Sequence, residues 1–185
     1  MNILKQKARR HGAAAALLVC ALVWTAPACK HHKKERPLTI EEGDASMASI
    51  VHTADPRTST QLLSGFYGIE GNAWRWTAQR FSVLLRPPRS AATKGATLQL
   101  KLTIPAVAMD QLKTVTLSAA VAGTPLSPET YTQAGPFTYT RDVPASALGG
   151  DSVKVDFVLD KAVPPGPSDQ RQLGIIVSTV GFEAK

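Results

Sequence analysis

From about Leu62 onward the chain alternates apolar and polar residues with a period of two. Leu98, Leu100, Leu102 and Ile104 are separated by Gln99, Lys101 and Thr103. Val115, Leu117, Ala119 and Val121 alternate with Thr116, Ser118 and Ala120, and Val153, Val155, Phe157 and Leu159 with Lys154, Asp156 and Val158. Leu173, Ile175 and Val177 form a further set, with Gly174, Ile176 and Ser178 between them. Phe81, Val83 and Leu85 share one face of an earlier run, and Phe137, Tyr139 and Arg141 share one face of another. A strand returns its side chains to the same face every second residue, so each run predicts a half-buried strand. Pro87-Pro88, Gly123-Thr124-Pro125, Gly135-Pro136, Gly149-Gly150 and Pro164-Pro165-Gly166-Pro167 fall between or beside the runs, where they end strands and set turns. No window longer than about ten residues keeps a strong helical period. Ala145–Leu148 reads as a single helical turn. Short strands with one polar face each predict an all-β fold, an antiparallel β-sandwich (jelly roll) of roughly eight strands over residues 62–185. About 125 residues suffice for one such domain with one core.

The N-terminal pattern is different. Lys5, Lys7, Arg9 and Arg10 precede an unbroken apolar run from Ala13 to Trp24, and Thr25-Ala26-Pro27-Ala28 leads into Cys29. A basic head, a short apolar run and a small-residue site make an export signal over residues 1–28. The run is too short to span a bilayer, which takes about 20 apolar residues. Cleavage reads two ways: Ala26 and Ala28 form an A-x-A site, or Cys29 carries lipid. Bacterial lipoprotein signals, which this segment resembles, place a small residue directly before the cysteine, as Ala28 stands here. They usually carry Leu three residues before the cysteine, where this chain has Ala26. Cysteine usage favours lipidation at Cys29. Cys20 leaves with the signal, so the mature chain keeps one thiol, which thioether attachment would occupy. The expected localisation is the bacterial cell envelope, periplasmic or surface-facing, with membrane contact through the lipid on Cys29.

Charge changes meaning once it is located. The formal net charge is +7, yet residues 1–36 hold eight Lys/Arg against one Glu, and residues 37–185 hold thirteen of each sign. The expected folded part is balanced, which removes the electrostatic footprint of a nucleic-acid binder. Lys30–Arg36 is a basic tether. It reads as a solvated linker or as a segment attracted to anionic headgroups, at about 1 kcal/mol per basic residue near the surface. Adjacent His31 and His32 on such a tether are poor chelators. Residues 29–61 read as a lipid-anchored tether running into the sandwich, with a short strand around Ser49–Thr53.

The remaining chemistry is sparse. All four histidines precede the predicted sandwich, as do both cysteines. A nucleophile–His site inside the domain therefore needs His52 to fold back, and a His/Cys zinc site meets the same obstacle. No Gly-rich phosphate loop is present. The sequence calls for no cofactor and no metal. Carboxylate pairs of the glycosidase kind remain open, drawn from residues such as Glu70, Asp151 and Asp169, although solvated turn positions are their ordinary reading.

Gly65-Phe66-Tyr67-Gly68-Ile69-Glu70 with Trp74-Arg75-Trp76-Thr77 opens the domain, and Asp169-Gln170-Arg171-Gln172-Leu173-Gly174-Ile175-Ile176-Val177 closes it. Together these stretches resemble the carbohydrate-binding-module-like β-sandwich domains of bacterial envelope proteins and of some glycosyltransferases. The resemblance covers about residues 62–185 and implies a galactose-binding-like jelly roll with glycan recognition. It carries no catalytic motif to transfer.

Trp74-Arg75-Trp76 is the best local binding candidate. In a strand the two indoles point to one face and Arg75 to the other. An exposed pair would form a flat surface for sugar C–H faces, with Arg75, Glu70 and Tyr67 offering polar contacts. The competing reading puts at least one Trp in the core, since Trp is highly buried on average. Arg75, Arg171 and Glu70 also fit a structural ion pair between the first and last strands. Three functions follow: a non-catalytic envelope lipoprotein that binds glycan, a similarly anchored accessory subunit that binds another envelope protein, and, most remotely, a small glycoside hydrolase.

Overall fold

The computed structural model describes residues 47–185; the signal, Cys29 and the basic segment 30–36 lie outside the described residues. Nine strands pair throughout in antiparallel fashion: β1 (Ile50–His52), β2 (Leu62–Glu70), β3 (Trp74–Leu85), β4 (Ala96–Ile104), β5 (Val115–Val121), β6 (Thr124–Tyr131), β7 (Gly135–Val143), β8 (Val153–Leu159) and β9 (Ile176–Ala184). Two short helices, α1 (Ala91–Lys94) and α2 (Ala106–Leu112), sit in connections.

The hydrogen-bonded path runs β6-β5-β8-β3-β9-β4-β7, with β1 added to β9 and β2 to β3. Long strand β3 joins the layers. Arg80–Leu85 pair with β8, whereas Arg75 and Trp76 pair with β9. The path therefore doubles over into one layer of β2-β3-β8-β5-β6 and another of β1-β9-β4-β7. With β2 set aside, the other eight strands have jelly-roll connectivity. The predicted fold class is thus the observed one, with β2 as an extra strand. The layers close along a seam between β6 and β7. There the Tyr139 hydroxyl donates to Ser127 O at 2.9 Å, and Arg141 donates from Nε to Ser127 O at 2.7 Å and from Nη2 to Pro128 O at 2.9 Å.

The interior follows the alternation. Leu98, Leu100, Val83, Leu85, Leu117, Val121, Val155 and Val177 are fully withdrawn from solvent. Phe81 and Phe157 face one another across β3 and β8 with ring centroids 4.9 Å apart and planes 12° from parallel. Burial of this kind contributes about 1.5–3 kcal/mol for each large apolar side chain.

Strand β9 departs from simple alternation. Leu102 pairs with Val177 and Lys101 with Thr179, which leaves Ser178 as an extra residue. The bulge switches the buried set from Ile175 and Val177 to Val180 and Phe182.

The predicted tether at 29–61 ends too late. Val51 is wholly buried and β1 pairs with Val180 and its neighbours. Thr53 donates its hydroxyl to Val177 O at 2.7 Å. Gln61, buried, clamps Ala48 on both sides. It accepts from Ala48 N at 2.9 Å and donates to Ala48 O at 3.0 Å and Leu84 O at 2.7 Å. The sandwich therefore includes Ala48–Gln61. His52 stands on this added strand, exposed, with its Nδ1 3.2 Å from the Thr179 hydroxyl.

Candidate functional site

The β2–β3 hairpin carries all five candidate side chains. It turns through Gly71 and Asn72, both at positive φ, and closes with Ala73 N donating to Glu70 O at 3.2 Å. Gly and Asn adopt this backbone most readily, so Gly71-Asn72 sets the turn that brings Trp74 opposite Glu70.

Trp74 and Trp76 do share a face, but they make no flat surface. Their ring centroids lie 6.5 Å apart with planes at 79°, an edge-to-face pair. Trp74 is half-buried and Trp76 is 9% exposed. Arg75 points the other way, as expected for the strand, and is engaged by backbone. Its Nε donates to Thr53 O at 2.6 Å and its Nη1 to Tyr67 O at 2.7 Å. Arg75 thus joins β2 and the end of β1 to β3.

Glu70 and Tyr67 meet the segment before β9. Glu70 Oε1 accepts from Arg171 Nη1 at 2.7 Å. Arg171 also grips Asp169 through Nε and Nη2 at 3.0 and 2.8 Å, and its backbone N–H donates to Asp169 Oδ1 at 2.9 Å. The guanidinium stands over the Tyr67 ring at 5.2 Å from its centroid, and the Tyr67 hydroxyl donates to Gln172 O at 2.8 Å. The ion pair between Glu70 and Arg171 is present, and Arg75 is not part of it. Hydrogen bonds from Arg171 hold the Asp169 carboxyl down at about 2, and the same contacts raise the Arg171 guanidinium.

These contacts fasten a loop at 163–173. Its base is a two-residue bridge, with Val163 N donating to Leu173 O at 2.8 Å and the reverse bond at 2.9 Å. Gly166 N donates to Asp169 O at 2.8 Å, and Gln170 Nε2 to Gly166 O at 2.9 Å. Between this loop and α2 lies a groove of about 440 Å³. Trp76, Val107, Leu173 and Pro164-Pro165 supply its apolar surface. Gln111, Ser168, Asp169 and Arg171 supply its polar groups.

Of the five candidates, Trp76 alone lines this groove. Residues Val107, Gln111 and the Pro-rich loop were not foreseen as site residues. The run Pro164-Pro165-Gly166-Pro167 was the available signal, legible only as a strand end. A larger hollow of about 510 Å³ lies at the other end of β3, lined by Arg86, Arg89, Gly149, Gly150 and Asp151 among others, with no aromatic side chain.

Among the described residues no group of three or more His, Cys, Asp or Glu side chains is placed to hold a metal ion. Asp169 keeps its charge down to about pH 2, so it holds no proton to donate near neutrality.

No family model matches the chain, and no curated protein matches it. Among solved structures the chain is similar to the CBM36-1 domain of a multidomain xylanase from the hindgut metagenome of Trinervitermes trinervoides. Identity is 12% and the TM-score 0.42, covering 74% of this chain and 96% of that one. It is similar to the mannan-recognising carbohydrate-binding module TmCBM27 at 10% identity and a TM-score of 0.41, covering 75% and 98%. It is also similar to the GH115 4-O-methyl-alpha-glucuronidase BtGH115A, specific for decorated arabinogalactans, at 8% identity and a TM-score of 0.42. That match covers 75% of this chain but 18% of the glucuronidase.

Proposed function

We propose that this chain is an exported envelope lipoprotein, anchored through Cys29, whose sandwich binds glycan without catalysis. The groove beside Trp76 carries the reading. A sugar ring is amphiphilic, with C–H faces and a rim of hydroxyls. The groove offers both counterparts: Trp76, Val107 and prolines for the faces, and Gln111, Ser168 and Asp169 for the hydroxyls. Hydrolysis needs a carboxyl that arrives protonated and a second in the ionised form. Asp169 is held ionised, and Glu70 is bound to the same guanidinium. Export and lipidation rest on the basic head, the apolar run and the Ala28-Cys29 junction.

Calorimetric titration of the full chain against a broad glycan panel tests the binding reading. Saturable binding is expected, weakened about 30-fold or more in Trp76→Ala, in line with a central aromatic contact worth about 2 kcal/mol. Urea denaturation of the variant separates lost contact from lost fold. Absence of binding across the panel would refute the reading. Val107, 63% exposed at the groove rim, would then direct the search to a protein partner by crosslinking in the native envelope. Metabolic labelling with a palmitate analogue, lost on Cys29→Ser, tests the anchor.

A further inference from the structure

We infer that the Glu70–Arg171–Asp169 cluster makes the groove selective for uncharged glycan and excludes chains bearing carboxylate or phosphate. The inference rests on the glycan reading and deepens it. Among the groove-lining residues Arg171 is the sole cation and Asp169 the sole anion. An arginine beside a sugar site ordinarily suggests recognition of an acidic sugar, because its planar fork matches a carboxylate. Here the fork is already occupied.

Arg171 spends Nε and one Nη2 proton on Asp169, at 3.0 and 2.8 Å, and one Nη1 proton on Glu70 at 2.7 Å. Asp169 takes the side-on pair of parallel N–H groups, and Glu70 takes one of the two Nη1 protons. One guanidinium and two carboxylates leave the cluster at a net charge of −1. The nearest lysine in sequence before the loop makes no ion pair with it. Lys161 Nζ is turned to Leu112 O at 3.1 Å and the Thr114 hydroxyl at 2.8 Å.

The two remaining Arg171 protons can each meet a neutral hydroxyl. So can the remaining lone pair on Asp169 Oδ2, which accepts from a sugar O–H and repels a sugar carboxylate. Arg171 acts chiefly as a positioning residue that holds the loop wall; Asp169 is the anion that lines the groove, and Glu70, which does not line it, brings the cluster as a whole to −1.

The test is competition calorimetry on the full chain with neutral gluco-, manno- and xylo-oligosaccharides and with oligogalacturonates of equal length, at low and high salt. Neutral oligomers are expected to bind, and oligogalacturonates at least about fivefold more weakly at low salt, a gap that narrows as salt screens the repulsion. Glu70→Gln brings the cluster to neutrality while keeping its shape. It should raise uronate affinity relative to neutral sugar, and Ser168→Arg, which adds a free guanidinium on the exposed part of the loop, should raise it further. Uronate binding equal to or tighter than neutral binding in the unaltered protein would overturn the inference while leaving the glycan reading intact. Unchanged preference in both variants, with folding verified, would overturn it as well. Binding of neither class would remove the glycan reading itself, and the inference with it.

Discussion

Tyr131→Phe should stabilise the protein, and Tyr139→Phe should destabilise it. The two tyrosines lie at the β6–β7 seam, 5% and 0% exposed, and burial pushes both phenols above their usual range. They differ in one respect. The Tyr139 hydroxyl donates to Ser127 O at 2.9 Å, whereas the buried Tyr131 hydroxyl has no hydrogen-bond partner among the described residues. Leaving a hydroxyl unpaired in the interior costs about 1–3 kcal/mol by mutational measures, and deleting the oxygen recovers that cost. The Tyr131 ring remains to pack on Phe137, whose centroid is 4.7 Å away. At position 139 the change loses a bond worth about 1 kcal/mol. Ser127 O is not orphaned, because Arg141 Nε still donates to it at 2.7 Å. The two variants should therefore separate by about 2–4 kcal/mol, with opposite signs relative to the parent. Urea denaturation reads this as a rise in midpoint for one and a fall for the other at constant slope. A loss of about 1 kcal/mol or more in Tyr131→Phe would refute the reasoning, since it would mean the hydroxyl has a partner in solution.

Further predictions concern the added strand, the aromatic core and the groove wall. A Cβ at Gly181 would stand 2.7 Å from Ile50 Cα and Ser49 O. Gly181→Ala should therefore detach β1, cost about 1.5–3 kcal/mol through exposure of Val51, and raise amide exchange at Ile50–His52 ahead of β4; unchanged exchange would refute this. Phe157→Ala should cost about 3–5 kcal/mol, and a double-mutant cycle with Phe81 should show coupling of about 0.5–1.5 kcal/mol from their stacked rings; an additive cycle would contradict it. Asp169, held at about 2 by Arg171, lies below its ordinary value of 3.8, so its contribution is complete above that range and lost as pH falls through about 2. Carboxyl NMR should show this titration moving upward in Arg171→Gln, and an unmoved titration would break the link.

The fold was legible where strands are long and regular. In β4, Ala96, Leu98, Leu100, Leu102 and Ile104 all reach the core without interruption, and β5 and β8 behave alike. Periodicity failed where the backbone breaks its own parity. The Ser178 bulge hid Val180 and Phe182, and three register shifts in β2 erased any clean alternation from Leu62 to Glu70. Strand β1 falls within the short strand expected around Ser49–Thr53, but it buries one residue, Val51, and three residues cannot display the period that would have placed it in the sandwich. Helix α2 has seven residues, less than two full turns, for the same result. The groove was harder still. Its walls come from β3, α2 and the 163–173 loop, and their juxtaposition depends on the Val163–Leu173 bridge and on Arg171 reaching Glu70 across 101 positions.

Arg75 and Arg171 show why residue type alone misplaces a binding site. Arg75 stands between two tryptophans and was a candidate ligand contact from the sequence, whereas Arg171 was a candidate for a structural ion pair and meets the Tyr67 ring only in the fold. Arg75 spends its fork on the carbonyls of Thr53 and Tyr67, at 2.6 and 2.7 Å, which fixes β2 and the end of β1 against β3. Arg171 spends its own on two carboxylates, which fixes the loop against the same hairpin. A guanidinium committed in this way loses much of its value as a ligand donor and gains value as a strut. The lining left uncommitted is then Trp76 with the prolines, Val107, Gln111 and the remaining lone pair of Asp169 Oδ2. Trp74 braces Trp76 edge-on instead of extending it into a plane. A site built this way presents a narrow apolar strip with polar margins. On the proposed glycan reading, such a strip would take the edge or end of a sugar chain and not a broad crystalline face, which would need coplanar rings.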